Sequence, residues 1–289
     1  MLEEFENLVK NHKTCFLIAP TFPIDFKYPN IISMLKKIGA DKITELTFGA
    51  KIVNEEYVKY IENNPEQKYY IASPCPTIVT MIKSQYPDLI KYLIPVVSPF
   101  IAQAKTIKKL YPEHKIIFIS PCRVKASIET KEYPDLIDYT ITFKELKSFF
   151  NDNKIYENNF DNINENFDSL ILTKTKIYPI SGGLANSSNI HNHFNENEVY
   201  VNDGIINIKN TLDTIQNNET TFKFFDLLAC DGGCIGGNEL NNDSLSIQEK
   251  EKTILDYKSQ METKDLISEH HIEQHKKEIE NVDFSRIFN

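Results

Sequence analysis

The sequence predicts an α/β fold of two lobes, each a mainly parallel sheet flanked by helices, with a metal site in the cleft between them. Three observations carry this expectation. Short apolar runs such as TCFLIAP (14–20) and KIIFIS (115–120) alternate with segments of helical spacing, the pattern of buried parallel strands joined by crossover helices. The length, 289 residues, lies near the size at which a single core divides. Cysteines fall where predicted strands stop, and in such folds ligands collect at the carboxyl ends of strands.

The elements follow in order. TCFLIAP ends at a proline, and PNIISMLKKIGA (29–40) shows helical spacing closed by Gly39, which makes a first strand–helix unit. DKITELTF (41–48) reads as a strand, EEYVKYIENN (55–64) as a helix, and KYYIAS (68–73) as a strand ending at SPCP. TIVTMIKSQYPDLI after Cys75 and IAQAKTIKKLYP (101–112) are amphipathic helical stretches that lead into KIIFIS, which again ends at SPC. DYTITFKELKSFFNDN (138–153) reads as a strand then a helix. KIYPISGGL (176–184) and EVYVNDGIINIKNTLDTIQ (198–216) supply further units, and FKFFDLLAC (222–230) is the last clear strand. Asn-rich stretches at 151–168, 186–197 and 238–244 read as surface connections. Residues 1–260 are expected to form one domain of two interleaved lobes, and 261–289 a charged, helical C-terminal tail without a catalytic motif.

Composition narrows the function. With 41% hydrophobic and 25% charged residues the chain is globular rather than disordered. A formal net charge of -9 leaves no basic stripe for phosphates, so no nucleic-acid partner is expected. No apolar run approaches the roughly 20 residues of a spanning helix. The N-terminal MLEEFENLVKNHK is acidic and amphipathic rather than signal-like, so the expectation is a cytoplasmic protein without membrane association. Five cysteines, an odd number with no export signal, point to reduced thiols available to metal rather than to a disulfide framework.

Four of these cysteines form a pattern. Cys230 and Cys234 stand four apart in ACDGGCIGG, where glycines let the backbone fold tightly around a common ligand. Cys75 in ASPCP and Cys122 in ISPCR each follow Ser-Pro at the end of an apolar run. Four thiolates suit a cubane iron–sulfur cluster. They also suit structural zinc, although the long separations differ from ribbon and finger spacings, and a set of ordinary buried thiols is the third reading. Cys15 sits inside an apolar run and reads as a core residue. The histidine groups His191/His193 and His270/His271/His275 read as solvated loops with no assigned role.

Taken in order, SPCP, SPCRVK, SGGL and ACDGGCIGG resemble the catalytic domain of iron-only (FeFe) hydrogenases, the C-terminal region of the large subunit that holds the H-cluster. The likeness runs from Ala19 to Asn238. It implies a 4Fe–4S cluster joined through one cysteine to a two-iron unit bearing carbon monoxide, cyanide and a dithiolate bridge. Carried over by position, Cys75, Cys122 and Cys230 hold the cubane and Cys234 is the bridge. Lys125 takes the place of the family's lysine that donates to a cyanide, a role that suits a cation beside a buried anionic group. Lys125 and Cys234 are therefore the catalytic candidates. Gly182 and Gly183 match a glycine pair near the two-iron unit, where a missing side chain permits close backbone approach; a plain turn is the alternative.

The activity so implied is slow reversible hydrogen oxidation and proton reduction, or hydrogen sensing. Its partners are hydrogen or protons, an external ferredoxin-like electron carrier or a signalling protein, and maturation enzymes. The alternative is a hydrogenase-like iron–sulfur protein with an assembly or electron-transfer role and no hydrogen chemistry. Several positions depart from the family pattern. Pro74 stands where a proton-shuttling cysteine is usual, and proline carries no proton. Ser120 replaces a methionine, which implies a more polar environment for the iron pair. Ile128 replaces a relay glutamate, with Glu129 beside it able to serve only if the helix is shifted. Asn238 replaces a glycine, and no N-terminal cysteine-rich ferredoxin segment is read. These departures resemble the sensory or uncharacterised branch of the family.

Overall fold

The computed structural model describes residues 2–161, 165–168, 172–262 and 276–288. His270, His271 and His275, and with them much of the tail expected to be helical, lie outside the described residues. Helix α1 (Leu2–Asn11) leads into β1 (Thr14–Ile18), α2 (Asn30–Ile38), β2 (Lys42–Glu45), α3 (Thr47–Asn63) and a two-residue β3 (Tyr70–Ile71). Helices α4 (Pro76–Gln85) and α5 (Pro99–Leu110) precede β4 (Lys115–Ser120). A π turn (Lys125–Glu129) then runs into the short α6 (Thr130–Glu132), β5 (Tyr139–Thr142) and α7 (Phe143–Asp152). The rest comprises α8 (Gly183–Ser187), β6 (Val199–Asp203), α9 (Ile205–Gln216), β7 (Phe224–Leu228) and α10 (Ile247–Glu262).

The strands form two sheets, ordered β2-β1-β4-β5 and β3-β7-β6, and every pairing within them is parallel. The expected α/β class with parallel sheets is thus observed. Strands β1 and β7 are buried at every residue and β4 at all but Lys115. Being covered on both faces, they need apolar residues at successive positions, which is why their sequences do not alternate. Side chains of β7 divide between two cores. Phe224 joins the larger cluster around the first sheet, while Phe225 and Leu227 pack with Ile78 and Ile82 of α4 and Ile208 and Leu212 of α9.

Some boundaries differ from the sequence expectation for local reasons. Strand 68–73 is reduced to Tyr70 and Ile71, because the Ser73 amide donates to Tyr57 Oη at 2.7 Å instead of to a strand and Pro74 has no amide hydrogen to offer. The segment 176–184 is not a strand: Thr173–Ile177 coils as a 3-10 turn and a single bridge joins Ile180 to Gly233. There Lys176 is fully buried, paired with the Glu45 carboxylate and donating to Tyr257 Oη at 3.0 Å. Helix α3 starts at Thr47, inside the expected strand 41–48. It needs Gly49 at its crossing with α5, since a Cβ there would lie 2.4 Å from Pro99 O.

Asp226, on the central strand of the second sheet, is 1% exposed and accepts the Ala185 amide at 3.1 Å. Burial outweighs its hydrogen bonds and pushes the carboxyl up to about 6. Its unfolded value is near ~3.9, so the folded state holds the proton more tightly. Stability therefore rises as pH falls from about 6 towards about 4, and above that window the buried charge is a penalty of up to about 3 kcal/mol. Asp226→Asn is expected to raise the Tm at about pH 8 and to flatten this acid-side slope, as read by thermal unfolding across the window.

Candidate metal centre

Three strands end in the turns that carry the four cysteines. After β3, Ser73 Oγ donates to Ile94 O at 2.7 Å, and Cys75 follows in extended conformation one residue before α4, whose first residue is Pro76. After β4, Ser120 Oγ donates to Cys122 O at 2.9 Å and accepts from Cys122 N at 3.1 Å. That hydroxyl is spent on the turn. Ser120 is fully buried and lines neither pocket of the site. After β7, Gly232 and Gly233 take φ of 74° and 90°, where side chains are disfavoured. Asp203 Oδ1 accepts the Gly232 amide at 2.9 Å, and a Cβ on Gly233 would lie 2.7 Å from Pro179 O.

These turns bring Cys75, Cys122, Cys230 and Cys234 onto the wall of one pocket. A second pocket adjoins it, and Pro74, Pro121, Lys125, Leu228 and Cys234 belong to both. Its remaining walls are largely apolar, including Ala19, Leu46, Phe100 and Phe118. Among the described residues no three His, Cys, Asp or Glu side chains converge closely enough for one metal ion. The thiols instead surround a space, which suits a multi-atom cluster better than a single zinc. Cys15 is fully buried in β1 and lines neither pocket; burial pushes its thiol up to about 12.

The electrostatics ask for positive charge. Burial raises the Cys75, Cys230 and Cys234 thiols, Cys230 to about 11, and neighbouring cysteines add to the shift. Thiols so placed ionise when a cationic centre compensates them. The donor set therefore fits an iron–sulfur group.

Lys125 stands at the junction of the two pockets with 13% of its side chain exposed. Its Nζ donates to Pro74 O at 3.2 Å and to the Glu129 carboxylate at 2.9 Å, and lies 5.9 Å from the Phe100 ring centre. Burial opposes the charge, but Glu129 and the neighbouring Cys234 outweigh it and hold the ammonium above its ordinary range. The π turn settles which residue faces inward. Its extra residue per turn leaves Ile128 39% exposed and Glu129 fully buried. Glu129, rather than Ile128, is thus the residue that packs inward beside Lys125.

Gly182 and Gly183 line neither pocket. Gly182, with φ of 77°, precedes α8, and a Cβ on Gly183 would lie 2.0 Å from Ile177 O. The pair folds the chain back on itself beside Tyr178 and Pro179, which do line the second pocket. Sequence reasoning missed two residues. Among the described residues Tyr178 Oη is buried without a hydrogen-bond partner, and burial raises its phenol well above the usual range; the signal was its place in KIYPISGGL, just before the glycine pair. Arg286 is the other, a single arginine among apolar residues near the end of the tail.

Four thiols line one pocket at the carboxyl ends of parallel strands, an arrangement that suits a cysteine-held cluster. The chain belongs to the family described as "iron only hydrogenase large subunit, C-terminal domain", whose model matches residues 12–238. Its fold is similar to that of FeFe-hydrogenase HydA1 from Chlamydomonas reinhardtii, with 16% identity, 97% of this chain and 94% of that chain covered, and a TM-score of 0.75. The FeFe-hydrogenase HydA(deltaEFG) is similar at 16% identity, 100% and 95% coverage and a TM-score of 0.73. A third FeFe-hydrogenase, from a study of oxygen inactivation, is 17% identical, with 97% and 94% coverage and a TM-score of 0.70. No curated protein matches the sequence.

Removing one thiol of the pocket is expected to differ from removing Cys15. After anaerobic reconstitution, Cys122→Ala should retain little iron, whereas Cys15→Ala should keep full iron content and visible absorbance and lose only about 1 kcal/mol of stability. Iron analysis with a melting curve reads both.

Proposed function

We propose that the chain binds an H-cluster and either turns over hydrogen slowly or senses it. In this reading Cys75, Cys122 and Cys230 hold a 4Fe–4S cubane, and Cys234 links it to a two-iron unit bearing carbon monoxide and cyanide in the apolar pocket. The observation that carries the reading is the position of Cys234 and Lys125, both in the wall shared by the cysteine-lined pocket and the apolar one. When bound, the two-iron unit supplies the hydrogen bond-breaking chemistry and the cubane exchanges single electrons.

The chain's own residues provide the setting. Leu46, Phe100 and Phe118 keep water from the apolar pocket, which strengthens any charge-assisted hydrogen bond made there. An ammonium has three donors, and Lys125 directs two of them at Pro74 O and Glu129. The third would be left to donate to a cyanide of the two-iron unit. Pro74 also lines both pockets and offers no group to carry a proton, which accounts for slow turnover or a sensing role. An external ferredoxin-like carrier or a signalling partner, and the family's maturation enzymes, complete the picture.

Pro74 also favours a second reading, a cluster-binding protein without hydrogen chemistry. Infrared spectroscopy of anaerobically matured protein separates the two when paired with iron analysis. Carbonyl and cyanide bands with roughly six irons per chain are expected. A cubane alone, with roughly four irons and no such bands, selects the second reading.

A further inference from the structure

A ladder of alternating charges leads away from the pocket. Lys125 Nζ donates to Glu129 Oε2 at 2.9 Å, and the other carboxylate oxygen, Oε1, lies 3.8 Å from Arg286 Nη1. Both of these facing atoms are buried and lack a hydrogen-bond partner among the described residues. At its far end Arg286 is anchored by Glu132, with Nη2 at 2.7 Å and Nε at 3.1 Å from the same carboxylate oxygen. Glu129 is fully buried, Arg286 is 5% exposed and the Glu132 side chain is 36% exposed. The ladder therefore spans from the pocket wall to solvent.

Arg286 arrives from the far end of the chain. Residues 283–287 run as an extended strap along 95–97, with Val97 N donating to Phe284 O and Arg286 N to Pro95 O, each at 3.0 Å, and an antiparallel bridge between Val96 and Ser285. Lys105 Nζ donates to Asp283 O at 2.6 Å and fixes the start of the strap. These bonds hold the backbone of Arg286 independently of its side chain. A buried carboxylate between two cations keeps one orientation, whereas a carboxylate stripped of one cation is left partly uncompensated and reorients or takes up a proton.

We infer that Arg286 is a positioning residue for the metal centre: from the C-terminal strap it fixes Glu129, and through Glu129 it aims the Lys125 ammonium at the junction of the two pockets. This rests on the reading of Lys125 as donor to a ligand of the two-iron unit, while the ladder itself is independent of that reading. Glu129 holds the lysine on one side and the strap holds Glu129 on the other. Glu129 lies four residues after Lys125, on the same face of the turn, and between the two cations.

Two measurements on the full-length protein test this. The first is the labelling rate of Lys125 by a small amine-reactive reagent, followed by peptide mass spectrometry on cubane-reconstituted protein. The second is the set of cyanide infrared bands after loading of the two-iron unit. Arg286→Gln is expected to raise Lys125 labelling on the order of tenfold, as loss of a charge-assisted contact implies, and to shift the cyanide bands. Arg286→Lys should restore both towards wild type. Glu132→Gln, which releases only the outer anchor from a partly exposed site, should move both in the same direction by less, and serves if Arg286→Gln does not fold. Unchanged labelling in a folded Arg286→Gln, or in Glu132→Gln where the former is unfolded, overturns the inference. Wild-type protein without cyanide bands overturns the H-cluster reading instead, and the labelling series still decides the ladder.

Discussion

The four cysteines all lie in turns that follow the carboxyl ends of parallel strands. Cys75 follows β3, Cys122 follows β4 and Cys230 follows β7, while Ala19 and Leu46, on the apolar pocket, follow β1 and β2. Parallel strands all stop on the same side of their sheet, so this topology gathers five chain ends into one place without long excursions. The last turn is locked to an earlier one. A Cβ on Gly237, just past Cys234, would lie 2.5 Å from Pro121 O, one residue before Cys122. Backbone thus touches backbone across the pocket wall.

The parts legible in the sequence are those decided by local chemistry. Buried runs such as KIIFIS had to be strands because six residues with almost no polar face leave little else, and β4 spans them all. The four cysteines were legible because thiolates are scarce and their flanking Ser-Pro and Gly-Gly sequences dictate turns. Other features depended on partners remote in sequence. Lys176 looked like a polar residue on a strand, yet it is withdrawn into the core by Glu45 and by Tyr257 of α10. Nothing near position 176 announces either partner.

Glu129 shows a subtler failure. Counting from the second cysteine put Ile128 at the family's glutamate position and left Glu129 to serve only if the helix is shifted. A single π turn shifts the register by one residue, so that the carboxylate faces in and the isoleucine faces out. Arg286 was invisible for a related reason: its meaning lies wholly in Glu129 and Glu132, which occupy another part of the chain.

The pairing of β3 with β7 sets an order of events during synthesis. Tyr70 and Ile71 pair with Phe224 and Phe225, so the strand that aims Cys75 has no sheet to join until the ribosome has produced most of the protein. The thiol of Cys75 is made early and placed late. A nascent chain therefore holds its cysteines apart, and the nest they form closes only when β7 has slotted between β3 and β6.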